Sequence, residues 1–459
     1  MLSFITTATG GDMATLTLAG VTAQFEQTFA TSLARRQQLA QHIPGGYSRH
    51  PLTFGPHALY VAGGSGAHID TIDGPRLLDF HNNFSASICG HNHPVIRAAL
   101  SEAMTHGFSF GNPMVHEGDL ARLLCERLPS VERVIFTCSA SEAGIAAMRI
   151  ARANTGRNRI AKMEGGYHGV ADDYLMSMHP FPELLPGPAS QPLAVPNSAG
   201  IPRHVQDNVV ILPQNNLEAC TRILRAHGHD VACVVMELQA GAGGVIVLDK
   251  EFVSGMRELT RELGILLVID ETITFRAGFH GMQGIYRVTP DLTILGKTIG
   301  GGMPIGAIGG RADLFELGEG GFVYHSGTHH GHPLATAAGA ACLSLLDEAA
   351  FARLDVMGQR IKRELNSWCA EHGHPFVIYG IGSHLGYEFC DKPGREYKSC
   401  RDILRYSNEE QMRLFAFEMT NRGVFPMYRG QIALSTAMSN DDITTFITTA
   451  KDVMIGMFP

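Results

Sequence analysis

The chain has 459 residues, 45% of them hydrophobic and 17% charged. That is too long for one small core and too apolar for a disordered chain. Lys plus Arg number 36 against 44 for Asp plus Glu, a net charge of −8 with no block of like charge to reverse it, which excludes a non-specific nucleic-acid binder.

The first twenty residues lack a basic start and a clean apolar block, so no signal peptide is read there, and Met13 is a second candidate start. No run reaches the roughly 20 apolar residues of a membrane span. The nine cysteines form no C-x-x-C pair, and several, such as Cys233, sit in apolar runs. That is the pattern of reduced thiols in a cytoplasmic protein. Asn83-Phe84-Ser85 spells a glycosylation acceptor, which carries no weight without a secretion signal.

In chain order, residues 21–42 predict an amphipathic helix stopped by Ile43-Pro44-Gly45-Gly46. Residues 57–80 alternate around Gly63-Gly64 and Asp73-Gly74, a turn-rich antiparallel pattern. Helices are expected over 93–107 and 118–129, closed by Gly107 and Pro129. From about residue 131 strand and helix alternate: strands at 131–137, 159–164, 231–238, 265–270 and 291–296, helices at 141–156 and 251–264. A long Pro- and Gly-rich loop covers 180–203. This order predicts an α/β fold, a mostly parallel, doubly wound sheet with helices on both faces. A helix over 333–348 follows, then an α+β lobe with short strands at 384–389 and 431–436.

Asp270 ends the strand ILLVID, and Lys297 follows the strand DLTILG. In a doubly wound sheet both fall on the edge where ligands bind. An amine that can form a Schiff base and a carboxylate that can pair with a protonated pyridine nitrogen are what pyridoxal phosphate (PLP) chemistry needs. Ser139, Ala140 and Ser141 lie between a strand and a helix, where free N–H groups suit a phosphate and where an N-cap is the ordinary alternative. Tyr167, next to His168 after a strand and two glycines, can stack on a ring or simply pack in its loop. The histidines of HSGTHHGHP (325–333) lack helical i, i+4 spacing and have no acidic or cysteine neighbour in the sequence, so no metal is expected. Ser326-Gly327-Thr328 reads instead as a polar loop with donors for a phosphate. Gly296-Lys297-Thr298 mimics the end of a nucleotide P-loop, but its glycines follow the lysine and position 291 is Asp291.

The segments VVMELQAGAGG, LLVIDETITFRAGFHG, DLTILGKTIGGGMPIGAIGG and HSGTHHGHPLATAAGAACL together resemble the class III aminotransferases, most of all their glutamate-1-semialdehyde aminomutase branch. The likeness runs from about residue 40 to the end. It implies a fold-type I PLP-dependent transferase, with 1–75 as an N-terminal part of the small domain, 76–345 as the large PLP-binding domain and 346–459 as the C-terminal small domain. Lys297 is similar to the lysine that holds PLP, Asp270 to the partner of the pyridine nitrogen and Tyr167 to the stacking aromatic. Ser139, Ala140 and Ser141 fall where the family holds the phosphate, and Glu237 matches an acidic strand end. Thr328 resembles a threonine that reaches the neighbouring subunit's cofactor, which implies a homodimer with shared sites.

For the substrate, Arg49 resembles a carboxylate-binding arginine of the aminomutases and of a β-amino-acid group acting on β-phenylalanine. Arg429 resembles an arginine of that second group that meets the acceptor's carboxylate. An ordinary surface ion pair is the alternative for both. Phe84 is a candidate lining for an apolar or aryl side chain. Ser139-Ala140-Ser141 in place of Ser-Gly-Thr, and Arg276 one place early, depart from the aminomutase pattern. The expected reaction is ping-pong transfer from an amino acid, a β-amino acid among the candidates, to a 2-keto acid. The alternatives are an intramolecular aminomutase, a racemase or epimerase on the same scaffold, and a cofactor-binding scaffold without turnover.

Overall fold

The computed structural model describes residues 15–49, 52, 55–178, 187–316 and 323–459; Met13 and part of the long loop lie outside them. The first expected helix is two, α1 (Leu18–Thr28) and α2 (Ala30–Leu39), broken at Phe29. Phe25 and Phe29 are both fully buried with ring centroids 4.8 Å apart. The break lets both rings stay in the core. Strands β1 (Val61–Ser65), β2 (His68–Thr71) and β3 (Arg76–Asp79) form the expected antiparallel meander. Helices α3 (Pro94–Thr105) and α4 (Val115–Arg127) follow.

The central sheet is built from β4 (Arg133–Thr137), β5 (Arg159–Met163), β6 (Val209–Leu212), β7 (Val231–Met236), β8 (Leu266–Asp270), β9 (Leu292–Gly296) and β10 (Gly306–Gly310), in the order β4-β10-β9-β8-β7-β5-β6. The pairs from β9 to β6 are parallel, while β10 is antiparallel to both neighbours. Helix α5 (Ala140–Thr155) covers one face; α6 (Leu217–His227) and α7 (Lys250–Glu262) cover the other. All six residues of β7 are out of water. Val234 and Met236 pack toward Phe252 and Met256 of α7, and Cys233 and Val235 toward Ala147 and Ile150 of α5. That two-residue alternation between two apolar faces is why the strand reads as an unbroken apolar run. The sequence reading passed over β6, α6 and β10. Three of the five residues of β10 are glycine, a composition that speaks against a strand unless a close approach requires it.

The helix expected over 333–348 ends at Ser344 as α8 (Pro333–Ser344), and a 25-residue helix, α9 (Glu348–His372), follows. Strands β11 (Phe376–Ile381) and β12 (His384–Phe389), then α10 (Cys400–Tyr406) and α11 (Glu409–Asn421), lead to β13 (Val424–Phe425), β14 (Gln431–Ala433) and α12 (Asn440–Met457). β13 runs parallel to β3, so the first meander joins the C-terminal lobe. Asn421 Nδ2 also donates to Val21 O at 3.1 Å. β3 lies just past the expected division at 75/76 and pairs inside this small sheet. No single helix among the described residues is long and apolar enough to cross a membrane.

Candidate active site

Strands β7, β8 and β9 end side by side. Parallel register sets Asp270 opposite Ile294, three residues before Lys297. The Glu271 N–H donates to Ile294 O at 2.8 Å and locks that alignment. Lys297 is half-buried and holds a left-handed φ of 49°. For a lysine that conformation costs about 1–2 kcal/mol, and strain of this kind gathers at working sites. The next left-handed residue, Gly301, must be glycine, because a Cβ there would stand 2.4 Å from Ala338 O.

Burial lowers the Lys297 ammonium to about 8, with Glu237 and Asp270 opposing the shift and Arg276 adding to it. Glu237, at the end of β7, is buried and raised by that burial and by Asp270. Its two oxygens accept from the N–H groups of Tyr167 and Gly241, each at 3.1 Å. Asp270 is also buried. Its Oδ1 accepts from Thr272 N at 2.9 Å, and its Oδ2 faces His168 Nδ1 at 2.9 Å. Burial lowers the His168 imidazolium, so the ring is a neutral donor to the carboxylate. Tyr167 is 36% exposed, with burial, Asp270 and Glu237 all raising its phenol.

Helix α5 starts at the same edge. A Cβ on Gly296 would stand 2.9 Å from Ala140 Cβ and 3.3 Å from Thr272 Cγ2, so the helix start, the Asp270 turn and the Lys297 strand converge. Ser139 is the N-cap, in a capping box with Glu142. Glu142 Oε2 accepts from the N–H groups of Cys138 (2.7 Å) and Ser139 (3.0 Å), so the Ser139 N–H is already engaged. The N–H groups of Ala140 and Ser141 open the helix and have no intrahelical acceptor. Ser141 Oγ accepts from Val170 N at 3.3 Å.

The buried polar atoms without a hydrogen-bond partner among the described residues include three on the residues that carry or adjoin this site: His168 Nε2, Thr272 Oγ1 and Thr298 Oγ1. A carboxylate for a pyridinium, an amine of lowered basicity for an aldehyde and a helix start for a phosphate, with spare polar atoms beside them, fit PLP.

The histidine loop, short of companions in the sequence, acquires two in space: Cys138, Glu142 and His330 present ligand atoms within 4.8 Å of one another. The Glu142 carboxylate is already committed to two N–H groups at a helix N-terminus, whose partial positive charge favours an anion over a cation. Thr328, in the same loop, is exposed.

The two arginines come from separate elements. Arg49 is exposed; its Nη1 donates to Asn83 Oδ1 at 2.7 Å and its guanidinium carbon lies 5.8 Å from the Phe84 ring centre. Arg429 is half-buried and donates to Ala242 O at 3.2 Å. No carboxylate among the described residues lies within 4.0 Å of Arg49. Arg276, noted only as out of register, is fully buried and donates to Ser383 Oγ (2.8 Å), Ser85 O (2.7 Å) and Leu434 O. The sequence reading gave His168, Thr272, Thr298 and Asn83 no role. Only His168 carried a signal, as the neighbour of Tyr167 behind one strand end.

Residues 54–431 match the protein family described as "Aminotransferase class-III". A glutamate-1-semialdehyde 2,1-aminomutase 2 of Geobacillus kaustophilus is 36% identical over 434 residues, covering 93% of this chain and 98% of that one. Among solved structures, an omega-transaminase from Sphaerobacter thermophilus is 33% identical, with a TM-score of 0.88 over 93% of this chain and 98% of that one. A beta-phenylalanine aminotransferase from Variovorax paradoxus is 32% identical, with a TM-score of 0.86 over 96% and 97%.

Proposed function

The chain belongs to the class III aminotransferase family, and on that premise we propose that it transfers an amino group from an amino acid, a β-amino acid being the favoured class, to a 2-keto acid by a ping-pong route. The observation that carries this reading is the convergence of Lys297, Asp270 and the α5 start at one sheet edge. Pyridoxal phosphate, when bound, supplies an electron sink for the pair left as a carbon-bound proton departs.

Lys297 supplies the amine that links to the cofactor. Freed to act on a substrate, its Nζ would take up and return the proton at the substrate carbon. Its lowered basicity keeps a neutral, accepting fraction near neutral pH. Asp270 would hold a negative charge against the pyridine nitrogen, and His168 fixes the carboxylate's orientation. Ala140 and Ser141 offer N–H groups to the phosphate, with Ser139 shaping that turn as cap. Tyr167 would cover the ring, and Glu237 holds the Tyr167 backbone in place. Arg49 and Arg429 receive carboxylates, and Phe84 offers an aryl face.

The enzyme acts as a homodimer in which Thr328 reaches the partner's phosphate site. The exposed apolar side chains of Met104, Phe108, Phe110 and Val115 support this, because Phe108 lies 6.4 Å from His332 in the Thr328 loop. The small domain comprises the described residues up to Asp79 together with 346–459, packed around a large domain of 80–345. The protein works in the cytoplasm, a reading that rests on its unpaired cysteines.

The relatives named as aminomutases favour a second reading, intramolecular transfer. A panel of β-phenylalanine, glutamate 1-semialdehyde and other donors, with and without pyruvate or 2-oxoglutarate, separates the two. Product that forms only with added keto acid is expected; product without any acceptor overturns transamination in favour of the mutase.

A further inference from the structure

Residues Asn82, Asn83, Phe84 and Ser85 all take left-handed backbone conformations, with φ of 45°, 49°, 53° and 70°. One such residue is common at asparagine. Four in a row, including a phenylalanine, do not persist without outside support. The support is visible. Asp79 Oδ1 accepts from the N–H groups of His81 (2.8 Å) and Asn82 (2.9 Å), and His91 Nε2 holds its Oδ2 at 2.6 Å. Asn82 Nδ2 donates to Asp79 O (3.0 Å) and Ala433 O (2.6 Å). Phe84 N donates to His81 Nδ1 at 3.2 Å. The turn's last carbonyl, on Ser85, accepts from Arg276, a buried cation whose charge also acts on Lys297.

What this strained turn presents outward is Asn83 and Phe84. Asn83 Oδ1 takes Nη1 of Arg49 at 2.7 Å while the Phe84 ring lies at 5.8 Å from the same guanidinium. A single neutral acceptor on Nη1 fixes the plane of the guanidinium and leaves its Nε–Nη2 edge for two parallel bonds to a carboxylate. Because the acceptor is an amide, the cation keeps its full charge for the ligand. An aspartate in its place would neutralise it.

We infer that Asn83 is a positioning residue, held out by the left-handed turn Asn82–Ser85, that orients Arg49 for the carboxylate of the substrate. The inference rests on the proposed role of Arg49 as the carboxylate receiver. It makes Asn83 a determinant of specificity for acids over plain amines, without contact between Asn83 and the reacting atoms.

The test compares β-phenylalanine with 1-phenylethylamine, the same amine without the carboxylate, and adds inhibition by 3-phenylpropanoate as a measure of binding that needs no turnover of the probe. The variants are N83A, N83D, R49A and the double variant R49A/N83A. N83A is expected to raise KM for β-phenylalanine and Ki for 3-phenylpropanoate about tenfold, the weight of one charge-assisted hydrogen bond, with kcat within about twofold. N83D, which keeps the turn best but cancels the charge, is expected to raise both further. Neither variant changes KM for 1-phenylethylamine, and N83A adds nothing on the R49A background. A purely structural role reverses the order, with N83D milder than N83A, or weakens both donors alike, and either result overturns the inference. R49A that weakens the acids while N83A does not overturns the role of Asn83 alone. R49A without effect on either acid overturns the reading of Arg49 and the inference with it.

Discussion

Nδ1 of His168 and Oδ2 of Asp270 meet at 2.9 Å with both side chains closed off from water. The two residues lie 102 positions apart in the chain, one after β5 and one at the end of β8. A neutral ring donating to a buried carboxylate sets the carboxylate's direction without cancelling its charge. H168L therefore removes an orienting bond worth about 1.5–3 kcal/mol and leaves Asp270 under-bonded. The expected outcome is at least tenfold faster loss of PLP on dialysis, with a lower kcat on every donor. D270N should be the more severe of the two. Equal PLP retention by wild type and H168L argues against an orienting role.

The lowered basicity of Lys297 gives a pH test. An amine must be neutral to attack an aldehyde carbon, and burial brings this one to about 8 from its usual 10.5. For cofactor-free enzyme, the rate of PLP uptake should climb with pH and level off above about 8. Glu237 raises the lysine's basicity, so E237Q moves the inflection to lower pH. Stopped-flow absorbance across a pH series reads both. An inflection near 10.5 in either protein refutes the buried-amine account.

Asp270 and Lys297 were legible because each ends or follows a short apolar run, and a charged side chain at that point has only the sheet's carboxyl edge to occupy. The alternation of β8 and β9 with helices announced the sheet itself. His168 was not legible as a partner, since pairing depends on how β5 and β8 are ordered across β7, which local periodicity does not encode. β10 was hidden by its glycines, whose reason is a close approach made by residues far away in sequence. The Asn82–Ser85 turn was hidden too, because its support comes from Asp79, Ala433 and Arg276, three segments that meet only in the folded chain.

Arg276 is a buried cation that donates to one hydroxyl and two carbonyls. Methionine at this position fills similar space and leaves those three acceptors without their donor. R276M should destabilise by more than about 3 kcal/mol, given 1–3 kcal/mol for each buried group left unsatisfied. A thermal melt at fixed PLP concentration measures it, since cofactor binding itself raises the midpoint. The same variant removes a positive charge that depresses Lys297, so the inflection of PLP uptake should move up in pH. A stable R276M with an unmoved inflection would falsify both the structural and the electrostatic account.

Gly306 offers the sharpest test of the phosphate site. In β10 it pairs with Gly296 on one side and Thr137 on the other, directly behind the cap of α5. A Cβ there would stand 2.2 Å from both C and O of Ser139 and 2.6 Å from the Ala140 nitrogen, all backbone atoms that no rotamer change can move. G306A must therefore push the α5 start away from the Lys297 edge and misaim the N–H groups of Ala140 and Ser141. Because phosphate recognition by a helix start depends on those N–H directions, PLP affinity should fall more than tenfold. Pyridoxal, which lacks the phosphate, should lose much less. Gly63, with open space around its Cβ position, gives the control, and G63A should bind PLP like wild type. If G306A folds and loses PLP and pyridoxal affinity equally, the phosphate is held somewhere other than the start of α5.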